Sequence, residues 1–352
     1  MLCILILVFW VANSTFARGD HNPNYSCDFG DAPTVTQITE PIDHSETPSW
    51  DGRRDMLYYV DVHTGRVLSY NYDTGKVHSI TLGSGSIGPV VQTKNKDVLL
   101  VGFNRSIVAV EWDGKNNMSK KTVLTQVSDR FPDSHFNDGK TDKNGRLWWG
   151  TMGLTPDIQN QGALYKITSQ NLNKPDVVIS PVNVSNGLAW NKANDKFYYI
   201  NFPARKIFAY DFNLEKGEIS NQKVVFDLED HKQLSGKPDG MTIDIEDNLW
   251  IALFGGGSVI KVNPTTGQLL NKIAIPAQYV TDTMFGGPNL DILFVTTFKY
   301  TLTDEQKKQQ PAAGALFAVK ILKTKGRPVF EAFRKCEMRK ISWFHCNYHQ
   351  IK

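Results

Sequence analysis

The hydrophobic residues of this chain fall into short runs that follow turns rich in aspartate, asparagine and glycine, and helical periodicity is scarce. A run of aliphatic and aromatic residues directly after such a turn predicts a β-strand. The pattern recurs at 51–60, 94–101, 142–150, 191–200, 244–252 and 288–296. Its first aliphatic positions are 57, 98, 147, 197, 249 and 293, so successive copies lie 41, 49, 50, 52 and 44 residues apart.

Six units of this length, each a hairpin followed by further strands, are typical of a β-propeller. A second turn and strand follow the first in most units, for example at 64–70, 204–210 and 257–262. One such unit cannot bury both faces of its sheet, so the units must stack around an axis. We therefore predict an all-β fold, a six-bladed β-propeller. A two-sheet sandwich with similar hairpins is the alternative, and six evenly spaced copies count against it.

The N-terminus differs from the rest of the chain. Residues 2–12 form an almost unbroken apolar run, and small residues lead from it to Ala17. The run is too short for a transmembrane helix, which needs about 20 residues, and it has the pattern of a cleaved signal peptide. We expect a signal peptide over 1–17 and a secreted protein, with a retained anchor as the alternative. An N-terminal segment over 18–44, the propeller over 45–328 and a basic extension over 329–352 complete the predicted organisation.

Secretion gives the cysteines a meaning, because disulfides persist in oxidising compartments. Cys3 leaves with the signal peptide, and the remaining odd number of cysteines allows at most one internal bridge. Since closure of a propeller brings the chain ends together, we expect Cys27 to pair with Cys336 slightly ahead of Cys346. The possible N-glycosylation sites are Asn24, Asn104, Asn117 and Asn183.

Charge and composition exclude some partners. The chain has 39 basic and 36 acidic residues, a net charge of +3, and no basic stripe in its body. Nucleic-acid binding would need a clustered basic face, so we expect no nucleic-acid partner. No further stretch is apolar enough to span a bilayer, so we expect no membrane partner after signal cleavage, and a monomer.

Polar residues recur at one station of the repeat, five residues before the turn that follows the first strand of a unit. Glu46, Asn137, Asn186 and Asp239 occupy it, and their turns begin at Asp51, Asp142, Asn191 and Asp244. Singly, each amide or carboxylate followed by glycine is also a turn signal. Together, side chains at equivalent positions of different blades converge on the central channel. Carboxylate and amide oxygens suit a hard cation such as Ca²⁺, Mg²⁺ or Mn²⁺.

The same residues carry a resemblance to a known family. The segments FNDGKTDKNGRLWWGTM (136–152), SNGLAW (185–190), PDGMTIDIEDNLWIA (238–252) and FGGPNLD (285–291) resemble the regucalcin (senescence marker protein)/gluconolactonase family, including its luciferin-regenerating branch. The resemblance runs from about residue 45 to 327 and implies a secreted, insect-like member. It also implies a metal-dependent lactone hydrolase with a small-molecule lactone as its substrate.

The resemblance assigns roles to individual residues. It implies one divalent metal ion, Ca²⁺ first and Zn²⁺, Mg²⁺ or Mn²⁺ as alternatives, held by Glu46, Asn186 and Asp239. Asp239 would also be the catalytic acid/base, and Asn137 would bind substrate. His135 stands where the family has a substrate-contacting arginine, so we expect the metal ligands to be retained and the sugar-binding residues to have changed. A non-catalytic calcium- or ligand-binding propeller and an interaction scaffold with a vestigial site remain open as alternatives.

Overall fold

The computed structural model describes residues 33–127, 130–155, 158–202, 204–320 and 323–332. Within these residues the only helices are a 3-10 turn, Leu228–Asp230, and one short α-helix, α1, Asp304–Gln309. Neither is long and apolar enough to cross a membrane. The remaining elements are strands and turns, which confirms the all-β prediction. The predicted signal peptide and all four cysteines lie outside the described residues.

The strands pair antiparallel in runs of four, and neighbours in the chain are neighbours in the sheet. After β1 (Thr34–Gln37), the first three runs are β2 (Ser45–Asp51), β3 (Met56–Asp61), β4 (Arg66–Asn71) and β5 (Val77–Thr81); β6 (Ile87–Gln92), β7 (Val98–Phe103), β8 (Ser106–Glu111) and β9 (Lys120–Gln126); and β10 (Ser134–Thr141), β11 (Leu147–Gly153), β12 (Gly162–Ile167) and β13 (Asp176–Val182).

The later runs repeat this arrangement, and the last run differs in one respect. They are β14 (Val184–Trp190), β15 (Lys196–Phe202), β16 (Lys206–Asn213) and β17 (Glu218–Asp227); β18 (Lys237–Ile243), β19 (Leu249–Phe254), β20 (Ser258–Asn263) and β21 (Gln268–Ala274); and β22 (Tyr279–Gly286), β23 (Ile292–Phe298) and β24 (Phe317–Lys320). The N-terminal strand β1 supplies the fourth strand of the last run by pairing with β24. Both ends of the strand sequence therefore meet in one sheet.

The aspartates that mark the repeat hold each turn to the strand after it. Asp142 is fully buried, and its Oδ1 accepts the backbone N–H groups of Asn144 and Arg146 at 2.9 and 3.1 Å. Its Oδ2 accepts the indole N–H of Trp148 at 2.9 Å and Nε of Arg146 at 2.6 Å. Asp244 accepts the indole N–H of Trp250 in the same way, at 3.0 Å. The six-residue spacing from Asp to Trp in the sequence repeat thus arises because one buried carboxylate accepts hydrogen bonds from the backbone N–H groups of the turn and from the indole of the next strand.

The first strands of successive runs also contact one another, including the last with the first. The polar or close contacts are Ser49 Oγ to Gln92 Oε1 at 2.9 Å, Asn137 Nδ2 to the Ser185 carbonyl at 3.1 Å, and Thr281 Oγ1 to the Ser45 carbonyl at 2.8 Å. Between β14 and β18, a side chain at Gly187 would place its Cβ 2.7 Å from the Asp239 carbonyl oxygen. These strands therefore line a common interior, and the apolar residues pack between neighbouring runs, as Ile200 packs with Met241.

The segment Lys323–Ala332 lies at the turn end of these first strands. Gly326 forms an isolated bridge with Asp244, and Ala332 forms one with Thr93. Arg327 donates from Nη1 to the Trp190 carbonyl at 3.3 Å. The interior is thus covered at this end. The residues that precede the predicted polar station lie at the opposite end, which is the open end of the interior.

Candidate metal centre

A one-residue irregularity breaks the pairing of each first strand near the predicted station. The irregularity lies between Glu46 and Ser49 on β2 and between Phe136 and Gly139 on β10. On β14 it lies between Ser185 and Leu188, and on β18 between Pro238 and Met241. Such a bulge interrupts the strict alternation of side chains and re-aims those beside it. The bulges therefore turn the polar residues of several strands into the shared interior.

The predicted site residues come together there. Asn137 donates from Nδ2 to Asn186 Oδ1 at 3.0 Å, and the Asn186 side chain is in turn hydrogen-bonded to the Asp239 carboxylate. Glu46 interacts electrostatically with Asp239 from the neighbouring side of the interior. Glu46, Asn186 and Asp239 are only 6%, 3% and 7% exposed, whereas Asn137 is half-buried. The structure thus joins all four residues in one constellation.

The electrostatics of this constellation favour a cation. Burial, followed by repulsion from Asp239, Asp282 and Asp138, raises the pKa of Glu46 well above its usual range. Burial and repulsion from Asp282 and Asp138 do the same to the pKa of Asp239, against the hydrogen bond from Asn186. Buried carboxylates are costly unless they are paired, protonated or bound to a metal. A divalent ion would remove this cost.

The donor set also fits the predicted hard cation. Two carboxylates and an amide oxygen are ligands that Ca²⁺, Mg²⁺ and Mn²⁺ accept, and neither imidazole nor thiolate is present at the station. Among the residues that the structure describes, no three His, Cys, Asp or Glu side chains form a metal-binding group of their own. The amide of Asn186 is therefore part of what a bound ion would need. The metal role of Glu46, Asn186 and Asp239 stays a prediction.

His135 lies at the open end, two residues before Asn137. It is 5% exposed, and its Nδ1 is 2.7 Å from the Phe136 carbonyl oxygen. Burial lowers its pKa, against the raising effect of that hydrogen bond. A neutral ring that donates from Nδ1 to the carbonyl leaves Nε2 as an acceptor. The side chain at the family's arginine position therefore carries no permanent charge.

The sequence did not reveal two further histidines beside it. His44 Nδ1 lies 3.2 Å from His63 Nε2, and burial followed by repulsion from His63 and His135 holds the pKa of His44 well below its usual range. His63 stacks on Tyr300 with ring centroids 4.0 Å apart. These two residues come from separate turns. His44 lies two residues before Glu46, at the same offset that His135 has from Asn137, whereas His63 has no such relation to the polar station.

Aromatic side chains line the same end of the strands. Three strands end in a phenylalanine that pairs with the residue two positions before a predicted ligand. Phe202 pairs with Val184, which precedes Asn186, and Phe254 pairs with Lys237, which precedes Asp239. Phe298 pairs with His44, which precedes Glu46. Phe254 and Phe298 lie 5.4 Å apart between ring centroids, and Tyr279 contacts both. The approach to the candidate ligands is thus bordered by apolar rings.

Asp138 and Asp282 are the acidic residues that the sequence analysis missed. Asp138 follows Asn137 directly in the bulge between Phe136 and Gly139, and Asp282 occupies the equivalent place in the bulge between Val280 and Thr283. They are 2% and 1% exposed, and both raise the pKa of Glu46 and Asp239. Counting back four residues from the turn at Asp142 would have found Asp138, whereas Asp282 lies six residues before the turn at Pro288 and is shown to be equivalent only by the bulge in its strand.

Comparison with known proteins agrees with this geometry. The family model described as "SMP-30/Gluconolactonase/LRE-like region" matches residues 44–299. Regucalcin of Xenopus laevis is 32% identical over 297 residues, covering 82% of this chain and 94% of its own length. A Bacillus subtilis protein named as a sugar lactone lactonase, YvrE, is 33% identical over 277 residues, covering 78% of this chain and 90% of its own.

Solved structures give the same result. A luciferin-regenerating enzyme superposes with a TM-score of 0.80 at 30% identity, covering 86% of this chain and all of that one. Regucalcin from Agrobacterium tumefaciens, at 19% identity, has a TM-score of 0.76 and shares the fold. The fold and the polar interior define a β-propeller-like protein whose first strands surround buried carboxylates and amides. The chain belongs to the SMP-30/gluconolactonase/LRE-like family, as the sequence resemblance predicted.

Proposed function

We propose that this protein is a secreted, metal-dependent lactone hydrolase built as a six-bladed propeller over residues 45–328. The runs of four strands, closed by β1, support the blade count. The observation that carries the activity is the pair of buried carboxylates, Glu46 and Asp239, joined through Asn186 to Asn137 at the open end of the interior. Relatives named as lactonases support the substrate class.

Residues Glu46, Asn186 and Asp239 would hold the ion, which when bound polarises the lactone carbonyl as a Lewis acid. The side-chain amide of Asn137 lies beside Asn186 and orients the substrate's oxygens. Asp239 accepts the proton of the attacking water as the new C–O bond forms at the carbonyl carbon. The ester C–O bond then breaks, and the proton passes from Asp239 to the leaving alkoxide. The product is a hydroxy acid, with atoms and charge balanced.

The open end favours apolar over polyhydroxylated substrates. His135 is neutral, buried and already bonded to the Phe136 carbonyl, so it lacks the charged fork with which arginine binds sugar oxygens. Phe202, Phe254 and Phe298 border the approach. Alkyl or aryl lactones are therefore the expected substrates.

The test uses the secreted protein, stripped with EDTA and reloaded separately with Ca²⁺, Mg²⁺, Mn²⁺ and Zn²⁺. Alkyl and sugar lactones are hydrolysed in a pH-indicator assay. We expect activity to disappear on stripping and to return with Ca²⁺, and Asp239→Asn to lower kcat at least about 100-fold, because the general base and one negative charge of the ligand set are lost together. Asp304→Asn is the matched control, because that side chain is 97% exposed.

A second candidate is a calcium-binding propeller without catalysis. It is favoured by His135, whose Nδ1 is already used by the protein itself. Metal binding without hydrolysis of any lactone in the panel would establish this alternative. Hydrolysis that survives full removal of metal would contradict both.

A further inference from the structure

A second polar layer lies one residue beyond the candidate metal ligands. Thr47 on β2 and Asp138 on β10 each follow the station by one position, and Asp282 on β22 occupies the equivalent place in the bulge between Val280 and Thr283. They are 4%, 2% and 1% exposed. On β14 and β18 the corresponding residues are Gly187 and Gly240, which contribute no side chain to this layer. On β6 the corresponding residue is the apolar Pro89, so the polar side chains of this layer come from three of the six first strands.

Each carboxylate in this layer has one bonded and one free oxygen. Asp138 Oδ1 accepts the Gly139 N–H at 2.5 Å, and Asp282 Oδ1 accepts the Thr283 N–H at 2.6 Å. Within the part of the chain that the structure describes, no protein group bonds Asp138 Oδ2, Asp282 Oδ2, or the hydroxyls of Thr47 and Thr141. All four residues line one cavity of about 140 Å³. Four buried oxygens thus face a common space without protein partners.

The cations nearby do not pair with these carboxylates. Lys140 lowers the pKa of both Asp138 and Asp282, but its ammonium donates to the Met241 carbonyl. Arg327, at the covered end of the cavity, is bonded to the Trp190 carbonyl and to Asp247. Burial raises the pKa of both carboxyls, and Asp138 raises that of Asp282 further. An ion at Glu46 and Asp239 would leave this second pair of charges uncompensated.

We propose that Asp138 and Asp282, with the hydroxyls of Thr47 and Thr141, form a second site for a hard divalent cation, beyond the candidate catalytic ion. An all-oxygen set of carboxylates and hydroxyls is the chemistry that Ca²⁺ accepts. Gly240 makes room for it, because a Cβ there would lie 2.0 Å from Asp282 Oδ1. The site contains none of the residues assigned to the catalytic ion, so it stands independently of the lactonase proposal.

Equilibrium dialysis of the full secreted chain against Ca²⁺, with metal measured by mass spectrometry, tests the stoichiometry. We expect two ions per chain in the wild type and one in Asp282→Asn. Asp138→Asn, on a different strand, should also bind one ion, so that a folding defect in either variant does not decide the result. Asp304→Asn should keep two. Circular dichroism checks that each variant is folded.

Glu46→Gln separates this proposal from the proposed function. If the catalytic site is correctly placed, Glu46→Gln loses activity and one ion, and Asp282→Asn loses the other ion. If only the catalytic assignment fails, Glu46→Gln binds as many ions as the wild type, and Asp282→Asn still binds one fewer. An Asp282→Asn variant that binds as many ions as the wild type would overturn the second site, whatever the number of ions that the wild type binds. The two carboxyls would then share a proton.

Discussion

The metal-free protein should lose stability as the pH rises, because its interior carboxyls hold their protons more tightly when folded than when unfolded. The folded-state pKa values of Glu46, Asp138, Asp239 and Asp282 are all raised. Below the unfolded pKa of about 4, both states are protonated and no penalty exists. Above it the unfolded chain releases its protons first, so the free energy of unfolding falls until the pH passes the folded pKa.

The expected slope follows from linkage. Each carboxyl that stays protonated in the folded state costs about 1.4 kcal/mol of stability per pH unit. For a domain of this size, 1 kcal/mol corresponds to roughly 2–4 °C in Tm. Removing one carboxyl by Asp282→Asn should therefore raise the metal-free Tm, relative to the wild type, by about 3–6 °C for each pH unit over which that carboxyl stays protonated.

Comparing variants removes the contribution of the histidines. The pKa values of His44, His63 and His135 are lowered, so these residues make stability rise with pH toward 6.5, opposite to the carboxyls. Their effect is common to the wild type and Asp282→Asn and cancels in the difference. Differential scanning fluorimetry from pH 4.5 to 8 in EDTA measures it, and excess Ca²⁺ should remove the advantage of the variant. A difference in Tm that stays constant with pH would refute the reasoning.

Three further predictions follow from particular contacts. Restoring the family's arginine by His135→Arg should raise kcat/KM on hydroxylated lactones about tenfold, or roughly 1.4 kcal/mol, while leaving alkyl lactones unchanged; equal effects on both, in side-by-side kinetics, would dissociate His135 from specificity. Asp142→Ala should cost about 3–5 kcal/mol in urea unfolding, because it leaves Arg146 and the Trp148 indole without their buried acceptor; a loss below 1 kcal/mol would contradict this role. The mature protein should begin near Arg18 and carry glycan at Asn117, which is exposed, rather than at Asn183, whose side chain accepts the Asn160 N–H at 3.0 Å; intact-mass and peptide mapping would show an unprocessed, unmodified chain if this is wrong.

The sequence by itself determined the strand-rich class, the repeat and the residues of the polar station. These properties are local: a turn aspartate, its indole partner six residues later and the hydrophobic strand between them lie within one short segment. Because the same segment recurs, equivalent offsets identify equivalent positions. Glu46, Asn137, Asn186 and Asp239 were found in this way, and the structure brings them together.

The tertiary structure decided the rest, because it depends on which strands become neighbours. No local pattern shows that β1 pairs with β24 across the length of the chain. The grouping of His44, His63 and His135 likewise arises from separate turns. Strict alternation along a strand would aim a residue and its successor to opposite faces. The bulges relax that rule, so Asp138 faces the same interior as Asn137, and an acidic layer that alternation would have hidden lies beside the candidate metal centre.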